Sequence, residues 1–415
     1  MHFLILLSNI FQLISCINDY ELFDSYESTE QSYNDEIEGT LLMTQVVWRH
    51  GDRSPIDNYL SDARYEQIWQ NGWGELTEIG IQQQFELGKK LRDRYVGNLL
   101  SKKFDFREVY IQSTDRNRTI MSAMANMAGM FQKETDSRGG EDEEKGWPKG
   151  WIPIPIHIIR DDDPENVFSS CPRADQLEKD ITRSAYHRKV VRENFDFFSL
   201  LSEKTGKRID ISNIFDIYDK YFIERLYNLS QPEWLTKNIV KKMKNIAAID
   251  TQFDNGIGKP YVPELIRLRG GRLLKSMIQR MTQKINSLSA DGNKWISNLK
   301  YHALSAHDTT LYALLATFGN PETIINSSFP QYCATLTLEL WLLGDEKIPH
   351  VKILFDDGIS DNSKIITNLV EGCPEHSYFC SLETFSARSI QFIPEDIHEE
   401  CLEKFEPETD NQDVF

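Results

Sequence analysis

Three segments of this chain share one pattern, in which a short apolar run ends abruptly in polar residues and a helix-like stretch follows. The runs are LLMTQVVW at 41–48, EVYIQ at 108–112 and YHALSA at 301–306. The polar residues after them are RHGDRSP, STDRNR and HDTT, respectively. Buried strands that alternate with helices are typical of α/β proteins, whose helices cover the faces of a sheet. The pattern therefore predicts an α/β fold with a Rossmann-like sheet flanked by helices.

Each polar motif follows the carboxyl end of a predicted strand. In open α/β sheets, ligands bind outside these ends, where helix amino ends favour anions. We therefore expect the motifs to line one shared crevice. After the second motif, Ile120, Met124, Met127 and Phe131 recur at helical spacing and predict the apolar face of a helix. The region from about 160 to 265 is aromatic and mostly helical in pattern, which predicts a smaller helical domain inserted over the crevice.

The two ends of the chain differ from the rest in composition. Residues 3–14 (FLILLSNIFQLI) form an apolar run that suits a secretory signal but is too short to span a bilayer. We expect a signal peptide at 1–17, with a membrane-tethered terminus as the alternative. Residues 18–40 and 406–415 are acidic and lack a hydrophobic period, which predicts tails outside the folded domains. No other segment approaches a membrane span in length and hydrophobicity.

Composition argues against two kinds of partner. Asp and Glu outnumber Lys and Arg by 64 to 46, so the formal net charge is −18, and a protein of this sign repels nucleic-acid backbones and anionic lipids. We expect no nucleic-acid partner. Beyond the signal peptide the chain has an odd number of cysteines, and no two have C-x-x-C spacing. A zinc site is therefore not expected, and one thiol should remain unpaired if the others form disulfides.

The motif RHGDRSP places two guanidinium groups, Arg49 and Arg53, on either side of one imidazole, that of His50. Guanidinium is always charged and grips phosphate oxygens with two parallel hydrogen bonds, so the cluster suits an oxyanion. The two cations should also lower the pKa of His50 and leave a neutral, nucleophilic ring at acidic pH. The alternative is an arginine-rich turn whose charges pair with nearby acids.

The motif HDTT supplies a group that a displacement at phosphorus needs. A phosphate monoester leaves as a poor alkoxide unless an acid protonates it, and Asp308 is the candidate acid. A helix cap is the alternative role for this residue. Arg118, about one turn into the helix that follows STD, is a candidate third cation at the crevice; a surface arginine is the alternative.

Together, the motifs resemble the histidine acid phosphatase family, in the branch that contains the prostatic and lysosomal acid phosphatases. The resemblance rests on VVWRHGDRSPID, LTEIGIQQQFELGKKLRDRY, STDRNRTIMSAMANMAGMF, PIPIH and SAHDTTL, in order between about 41 and 405. It implies hydrolysis of phosphate monoesters with no metal or other cofactor. It also implies six residue roles: His50 as the nucleophile that forms a phosphohistidine, Asp308 as the proton donor, and Arg49, Arg53, Arg118 and His307 as ligands of the phosphoryl group.

The family's architecture implies how the chain divides into domains. It consists of an α/β domain of the phosphoglycerate mutase type with a smaller helical domain inserted. We therefore expect the catalytic α/β domain at 41–160 and 266–405 and the helical cap at 161–265. The resemblance also implies disulfides Cys171–Cys401 and Cys373–Cys380. The sixth family cysteine falls near Ile223, which leaves Cys333 as a buried free thiol.

The resemblance extends to modification, assembly and location. The sequons at Asn228 and Asn326 are candidate glycosylation sites, whereas Asn117 adjoins the proposed site and is expected to stay unmodified. Trp151 and His157 match positions that relatives use in a homodimer interface; burial of the tryptophan under its own loop is the alternative. With the signal peptide, these features indicate a secreted or lysosomal protein.

Three other functions compete with an acid phosphatase. A phytase or inositol-polyphosphate phosphatase needs a roomier and more basic pocket, and the acidity of this chain argues against it. A catalytically silent binding protein would not need His50 and Asp308. A metal phosphatase would need a ligand set that neither Asp161–Asp163 nor the Asp356–Asp357–Gly358 turn supplies convincingly.

Overall fold

The structure is a computed structural model that describes residues 39–56, 67–131, 152–160, 163, 165–289, 293–319, 321–325, 329–359 and 363–402. The expected signal peptide, the acidic tail up to residue 38, Trp151, Asn326 and the expected C-terminal tail lie outside these residues. Asp161 and Asp162 do as well.

Within the described residues, eight strands form one mixed sheet. They are β1 (Gly39–Arg49), β2 (Val109–Thr114), β3 (His157–Ile159), β4 (Tyr301–Ala306), β5 (Thr335–Leu343), β6 (Ile348–Asp356), β7 (Lys364–Ile365) and β8 (Cys380–Ser381). The order across the sheet is β3-β2-β4-β1-β5-β6-β7, and β8 pairs with β6. The first four strands are parallel to one another, whereas β5 to β8 add antiparallel pairs.

Helices cover both faces of this sheet. In chain order they are α1 (Glu78–Tyr95), α2 (Asn117–Met130), α3 (Pro172–Thr182), α4 (Ala185–Glu193), α5 (Phe195–Thr205), α6 (Ile214–Leu226), α7 (Lys237–Asp254), α8 (Pro263–Arg269), α9 (Gly271–Asn286), α10 (Lys294–Asn298), α11 (Asp308–Ala316), α12 (Pro321–Ile324), α13 (Leu382–Ser389) and α14 (Ile397–Glu400). Short 3-10 turns occupy Thr367–Leu369 and Ile390–Phe392. The α/β class and the flanking helices predicted from the sequence are confirmed.

Side-chain alternation along β1 explains the two layers. Val46 and Trp48 belong to the apolar cluster under α1 and α2, whereas Met43 and Val47 belong to the cluster that includes residues of α9 and α11. Successive residues of a strand point to opposite faces, so a strand covered on both sides reads as a continuous apolar run. Burial on both faces fixes the register of β1, and with it the position of the residues that follow.

The helices α3 to α8, referred to below as the helical region, have an apolar core of their own. This core gathers Leu177, Phe198, Leu201 and Ile217, all at most 8% exposed, and it also includes the Cys171–Cys401 disulfide. Cys171 immediately precedes α3 and Cys401 immediately follows α14. The disulfide therefore joins the start of the helical region to the end of the described chain.

A second disulfide, Cys373–Cys380, closes a short loop, and among the described cysteines Cys333 is free and buried. The two bridges span sequence separations of 230 and 7 residues. In the chain-entropy model, whose physical basis is debated, the longer loop stabilises the fold by about 3 kcal/mol more.

We therefore expect Cys171→Ser with Cys401→Ser to lower the free energy of unfolding by about 3 kcal/mol more than Cys373→Ser with Cys380→Ser. Denaturant unfolding of the two double variants under non-reducing conditions measures this difference. Equal losses would contradict the expectation. Peptide mapping of the unreduced wild type supplies the control that both bridges form.

Candidate active site

Three strand ends meet through direct contacts. Arg49 is the last residue of β1, and the next backbone amide, that of His50, donates to Ala306 O at the end of β4 (3.0 Å). His307 follows β4, and its Nε2 lies 2.9 Å from the hydroxyl of Thr114, the last residue of β2. Parallel strands bring their carboxyl ends to one edge of a sheet, which is why the three sequence motifs arrive together.

His50 is oriented by its own turn. Its Nδ1 lies 2.8 Å from Gly51 O, and a carbonyl only accepts, so Nδ1 carries the proton. In the neutral ring the lone pair is then on Nε2, the atom that can attack. His50 is 2% exposed. Burial, followed by the charge of Arg49, holds the pKa of His50 well below its usual value and keeps the ring neutral in acid.

The backbone at His50 has no room for a larger neighbour. A Cβ atom on Gly51 would lie 2.3 Å from Gly80 O, in the first turn of α1. Thr77 is the N-cap of that helix. Its hydroxyl oxygen accepts a hydrogen bond from the Gly80 amide, and its hydroxyl proton is donated to the carboxylate of Asp52 (2.6 Å). The loop that carries the imidazole is therefore fixed against the start of α1, and a glycine at 51 is required by this close approach.

Three guanidinium groups gather beside the imidazole. Arg49 and Arg53 are 5% and 3% exposed, and the charge of Arg118 contributes to lowering the pKa of His50. Each Nε atom of these arginines is buried, and no described residue accepts a hydrogen bond from it. Buried donors are almost always satisfied, so three unsatisfied cationic donors in one place indicate an anion site.

The pKa of Arg118 shows how strongly positive this site is. Burial, reinforced by the neighbouring charge of Arg53, lowers the pKa of Arg118 to about 10. Its Nη1 donates only a long hydrogen bond, 3.4 Å, to Gly74 O. Buried cations that lie this close together repel one another, and a bound anion would offset that repulsion.

Asp308 begins α11 and faces Arg49, with Oδ2 3.0 Å from Nη2. Its other oxygen, Oδ1, accepts the amide of Thr309 (2.8 Å). Burial opposes ionisation, but Arg49 and Arg53 outweigh it and hold the pKa of Asp308 below its usual value. The carboxylate is therefore both a local helix-start acceptor and a charged member of the cluster.

His307 lies between the imidazole and β2. Its ring centroid is 5.6 Å from that of His50, and the rings are nearly perpendicular. Burial and then the charge of Arg118 lower the pKa of His307 to about 3. The hydrogen bond to Thr114 engages Nε2, so Nδ1 is the ring nitrogen left for a ligand.

The sequence reasoning missed four residues at this site. Tyr332, just before β5, places its ring 4.4 Å from the Arg49 guanidinium carbon and 5.9 Å from the His50 ring. Asp219 in α6 forms an ion pair with Arg53. Tyr227 at the end of α6 and Thr77 both donate to Asp52. Thr77 lies within the motif LTEIGIQQQFELGKKLRDRY, from which no role was assigned to it, and the other three lie beside no recognisable motif.

Other predicted features fall outside the crevice. His157 is exposed on the edge strand β3 and stacks on Tyr110 at 4.4 Å. Asn228 is exposed just after α6, whereas the side-chain amide of Asn117 donates to Glu75 (3.1 Å).

Among the described residues, no cluster of three or more His, Cys, Asp or Glu side chains could hold a metal ion. Within that same part of the chain, no helix has the length and apolarity to cross a membrane.

A family model described as histidine phosphatase superfamily (branch 2) matches residues 40–356. The chain belongs to this superfamily. Putative acid phosphatase 5 of Caenorhabditis elegans is 32% identical over 371 residues, which cover 87% of this chain and 79% of that protein. Lysosomal acid phosphatase of Bos taurus is 31% identical over 366 residues, covering 87% and 80%. The family that the motifs resembled is confirmed.

Solved structures agree on the fold. The phytase of Hafnia alvei in complex with tartrate superposes with a TM-score of 0.60, covering 88% of this chain and 99% of that one. Its sequence is only 15% identical to this one, so the likeness shows the shared histidine phosphatase architecture and does not carry over the substrate.

Proposed function

We propose that this protein is an acid phosphatase that hydrolyses phosphate monoesters through a phosphohistidine on His50. One observation carries the proposal. A neutral imidazole with its lone pair on Nε2 lies among three guanidinium groups whose Nε donors have no described acceptor, with the carboxyl group of Asp308 alongside. A tetrahedral phosphate dianion supplies the missing acceptors, and the imidazole supplies the attacking atom.

The reaction divides into two displacements. In the first, His50 Nε2 forms a bond to phosphorus while the ester P–O bond breaks, and Asp308 gives its proton to the departing oxygen. In the second, a water oxygen attacks phosphorus, its proton passes to the Asp308 carboxylate, and the N–P bond breaks. Arg49, Arg53 and Arg118 hold the phosphoryl oxygens, and Nδ1 of His307 donates a further hydrogen bond.

Phytase activity remains the alternative within this superfamily. The 31–32% identical relatives are named acid phosphatases, whereas the phytase likeness rests on 15% identity and shows only the fold. A phytase also needs cations beyond those that hold one phosphoryl group. Comparing kcat/KM for an alkyl phosphate with that for inositol hexakisphosphate decides between the two, and a clear preference for the polyphosphate would replace our proposal.

The first experiment is turnover of nitrophenyl phosphate by the purified wild type from about pH 3 to about pH 8. We expect saturable release of nitrophenolate, inhibited by orthophosphate. A folded protein that binds orthophosphate but releases no product across this range would instead be a silent binding protein.

The pH dependence of this activity follows from the two shifted groups. His50 remains neutral in acid because burial and Arg49 lower its pKa. Asp308 must be protonated to act as the acid, and its pKa is held down by Arg49 and Arg53. Raising the pH removes that proton, so we expect kcat/KM for an alkyl phosphate to fall from acidic to neutral pH.

Bound substrate shifts this balance in a predictable direction. The negative phosphoryl group raises the pKa of Asp308, so the descending limb of kcat should lie at higher pH than that of kcat/KM. Full pH profiles of both parameters test this, with orthophosphate binding measured alongside to correct for ligand ionisation. A kcat/KM that rises through neutral pH would contradict the assignment.

The proposed chemistry uses no metal, since the arginines supply the charge and His50 supplies the nucleophile. We therefore expect dialysis against EDTA to leave kcat and KM unchanged. Activity lost in EDTA and restored by added zinc or magnesium would show that a metal ion takes part.

We further propose the context in which the enzyme works. Residues 41–160 and 266–405 act as the catalytic domain, with 161–265 as a cap, after cleavage of a signal peptide at 1–17. A lysosomal or secreted location is supported by the Bos taurus relative. Asn228 and Asn326 would carry glycans, and a homodimer would form through Trp151 and the exposed His157.

A further inference from the structure

The guanidinium of Arg53 has a fixed partner from the helical region. Asp219 in α6 contacts it with both carboxylate oxygens: Nη1 donates to Oδ2 (2.9 Å) and Nη2 donates to Oδ1 (3.2 Å). Asp219 is 5% exposed and lies 166 positions further along the chain. Such a two-point contact fixes the plane of the guanidinium as well as its position.

This contact determines which hydrogen-bonding edge of Arg53 is left over. Asp219 uses the edge between Nη1 and Nη2, and the second Nη1 proton goes to Ser54 O (3.2 Å). The remaining protons are those of Nε and Nη2, which are parallel and form a second fork. Nε of Arg53 has no described acceptor, so this fork is the one available to an anion.

The same helix makes a second contact with the loop that carries the nucleophile. Tyr227, the C-cap of α6, donates through its hydroxyl to Oδ2 of Asp52, the residue before Arg53. Trp69 packs against the Tyr227 ring edge to face, at a centroid distance of 4.8 Å. Two neighbouring residues of the loop, Asp52 and Arg53, are thus held by one helix, Arg53 from its middle and Asp52 from its C-terminal end.

We propose that Asp219 is a positioning residue for phosphoryl transfer, which turns the Nε–Nη2 edge of Arg53 toward the reacting phosphoryl group. The helical region thereby supplies part of the phosphate site without touching the phosphate. This inference rests on the proposed phosphatase activity and deepens it.

The consequence of losing this contact differs for binding and for turnover. Without Asp219, Arg53 keeps its charge and still attracts orthophosphate, and the loss of a nearby negative charge favours the anion further. The guanidinium is no longer held in one plane, however, so its hydrogen bonds match the transition state less well. Misplacing a catalytic contact by about 1 Å costs up to about 10²-fold in rate.

Two other roles for Asp219 make different predictions. A residue that only neutralises Arg53 would, when replaced, leave kcat unchanged and tighten orthophosphate binding. A residue that only packs the helical region against the loop would, when replaced, weaken orthophosphate binding and lower the melting temperature together. The ratio of the two effects therefore separates positioning from charge balance and from packing.

The experiment compares Asp219→Asn with the wild type, using nitrophenyl phosphate for kcat and orthophosphate as competitive inhibitor. We expect kcat to fall about 10- to 100-fold while the inhibition constant of orthophosphate changes by less than about threefold. Asp216→Asn is the matched control, since this half-buried carboxylate lies on the same helix, one turn before the carboxylate that holds Arg53. It should retain wild-type kcat.

Asp219→Glu covers the case in which the asparagine variant does not fold. It retains the buried counter-charge but moves the carboxylate by one methylene, so we expect kcat to fall while orthophosphate affinity is retained. Wild-type kcat in a folded Asp219 variant, or an inhibition constant that rises in step with the loss of kcat, would overturn the proposal. Absence of turnover in the wild type itself would instead refute the phosphatase activity.

Discussion

Replacing His50 by alanine is expected to abolish turnover and the phosphoenzyme together. Nε2 is the atom that forms the bond to phosphorus. A water molecule that takes the place of the ring is a weaker nucleophile and is not held in position for the attack. We expect kcat to fall by about 10⁴-fold or more, because the arginines alone can bind the phosphate without starting the displacement. When the wild type reacts with labelled substrate, alkaline quenching should preserve the labelled phosphoenzyme. Acid quenching should lose most of the label, because a phosphoramidate is acid-labile.

Controls for this variant are available on the same chain. His398→Ala removes an exposed histidine in α14 and should leave both the phosphoenzyme and kcat unchanged. His50→Ala should still be stabilised against heat by orthophosphate, because Arg49, Arg53 and Arg118 remain. A trapped species that resists acid and is lost in base, as an acyl phosphate is, would contradict the role of His50. So would normal turnover in the variant.

Replacing Asp308 by asparagine should discriminate between leaving groups. An alkoxide is a strong base and needs a proton as it departs, whereas nitrophenolate is a stable anion. General acid catalysis contributes about 10²–10⁴-fold, so phosphoenzyme formation from an alkyl phosphate should slow by that order. For nitrophenyl phosphate the loss should be clearly smaller. Rapid-quench measurement of phosphoenzyme formation in the wild type and the variant gives the two ratios.

Asp308→Asn tests proton transfer separately from helix capping, because asparagine keeps an oxygen that can accept a hydrogen bond from the Thr309 amide. The hydrogen bond at the start of α11 can therefore survive while the proton and the ion pair with Arg49 are lost. Asp396→Asn is the matched control, since Asp396 caps α14 through the amides of His398 and Glu399. It should affect both substrates equally. Equal losses for both substrates in Asp308→Asn would remove this residue from proton transfer.

The sequence predicted the strand ends well because strand and motif are adjacent in it. β4 occupies the expected residues 301–306, while β2 extends to Thr114 and β1 begins at Gly39 rather than at Leu41. Periodicity was a weaker guide within α2. Met127 and Phe131 are buried as predicted, but Met124 is 55% exposed, and Ala123 and Met130 are buried although the spacing did not select them. Helical spacing defines a broad stripe, and packing against α1 selects which part of it is covered.

The contribution of the helical region could not be predicted in the same way. Asp219 and Tyr227 lie on and just after an amphipathic helix, and nothing in the local pattern distinguishes an acid that pairs with Arg53 from an acid in solvent. Their partners are more than 160 positions away. Only the packing of the helical region against the nucleophile loop brings them together, and that packing depends on tertiary contacts throughout both parts.

Because of the position of β1 in the sheet, activity requires strands that lie far apart in the sequence. This strand carries the nucleophile near the amino terminus, yet its two neighbours, β4 and β5, come from residues 301–306 and 335–343. Pairings this distant in sequence close late during folding. A nascent or truncated chain that ends before these strands holds Arg49 and His50 on an unpaired segment. We therefore expect incomplete chains that lack β4 and β5 to have no phosphatase activity.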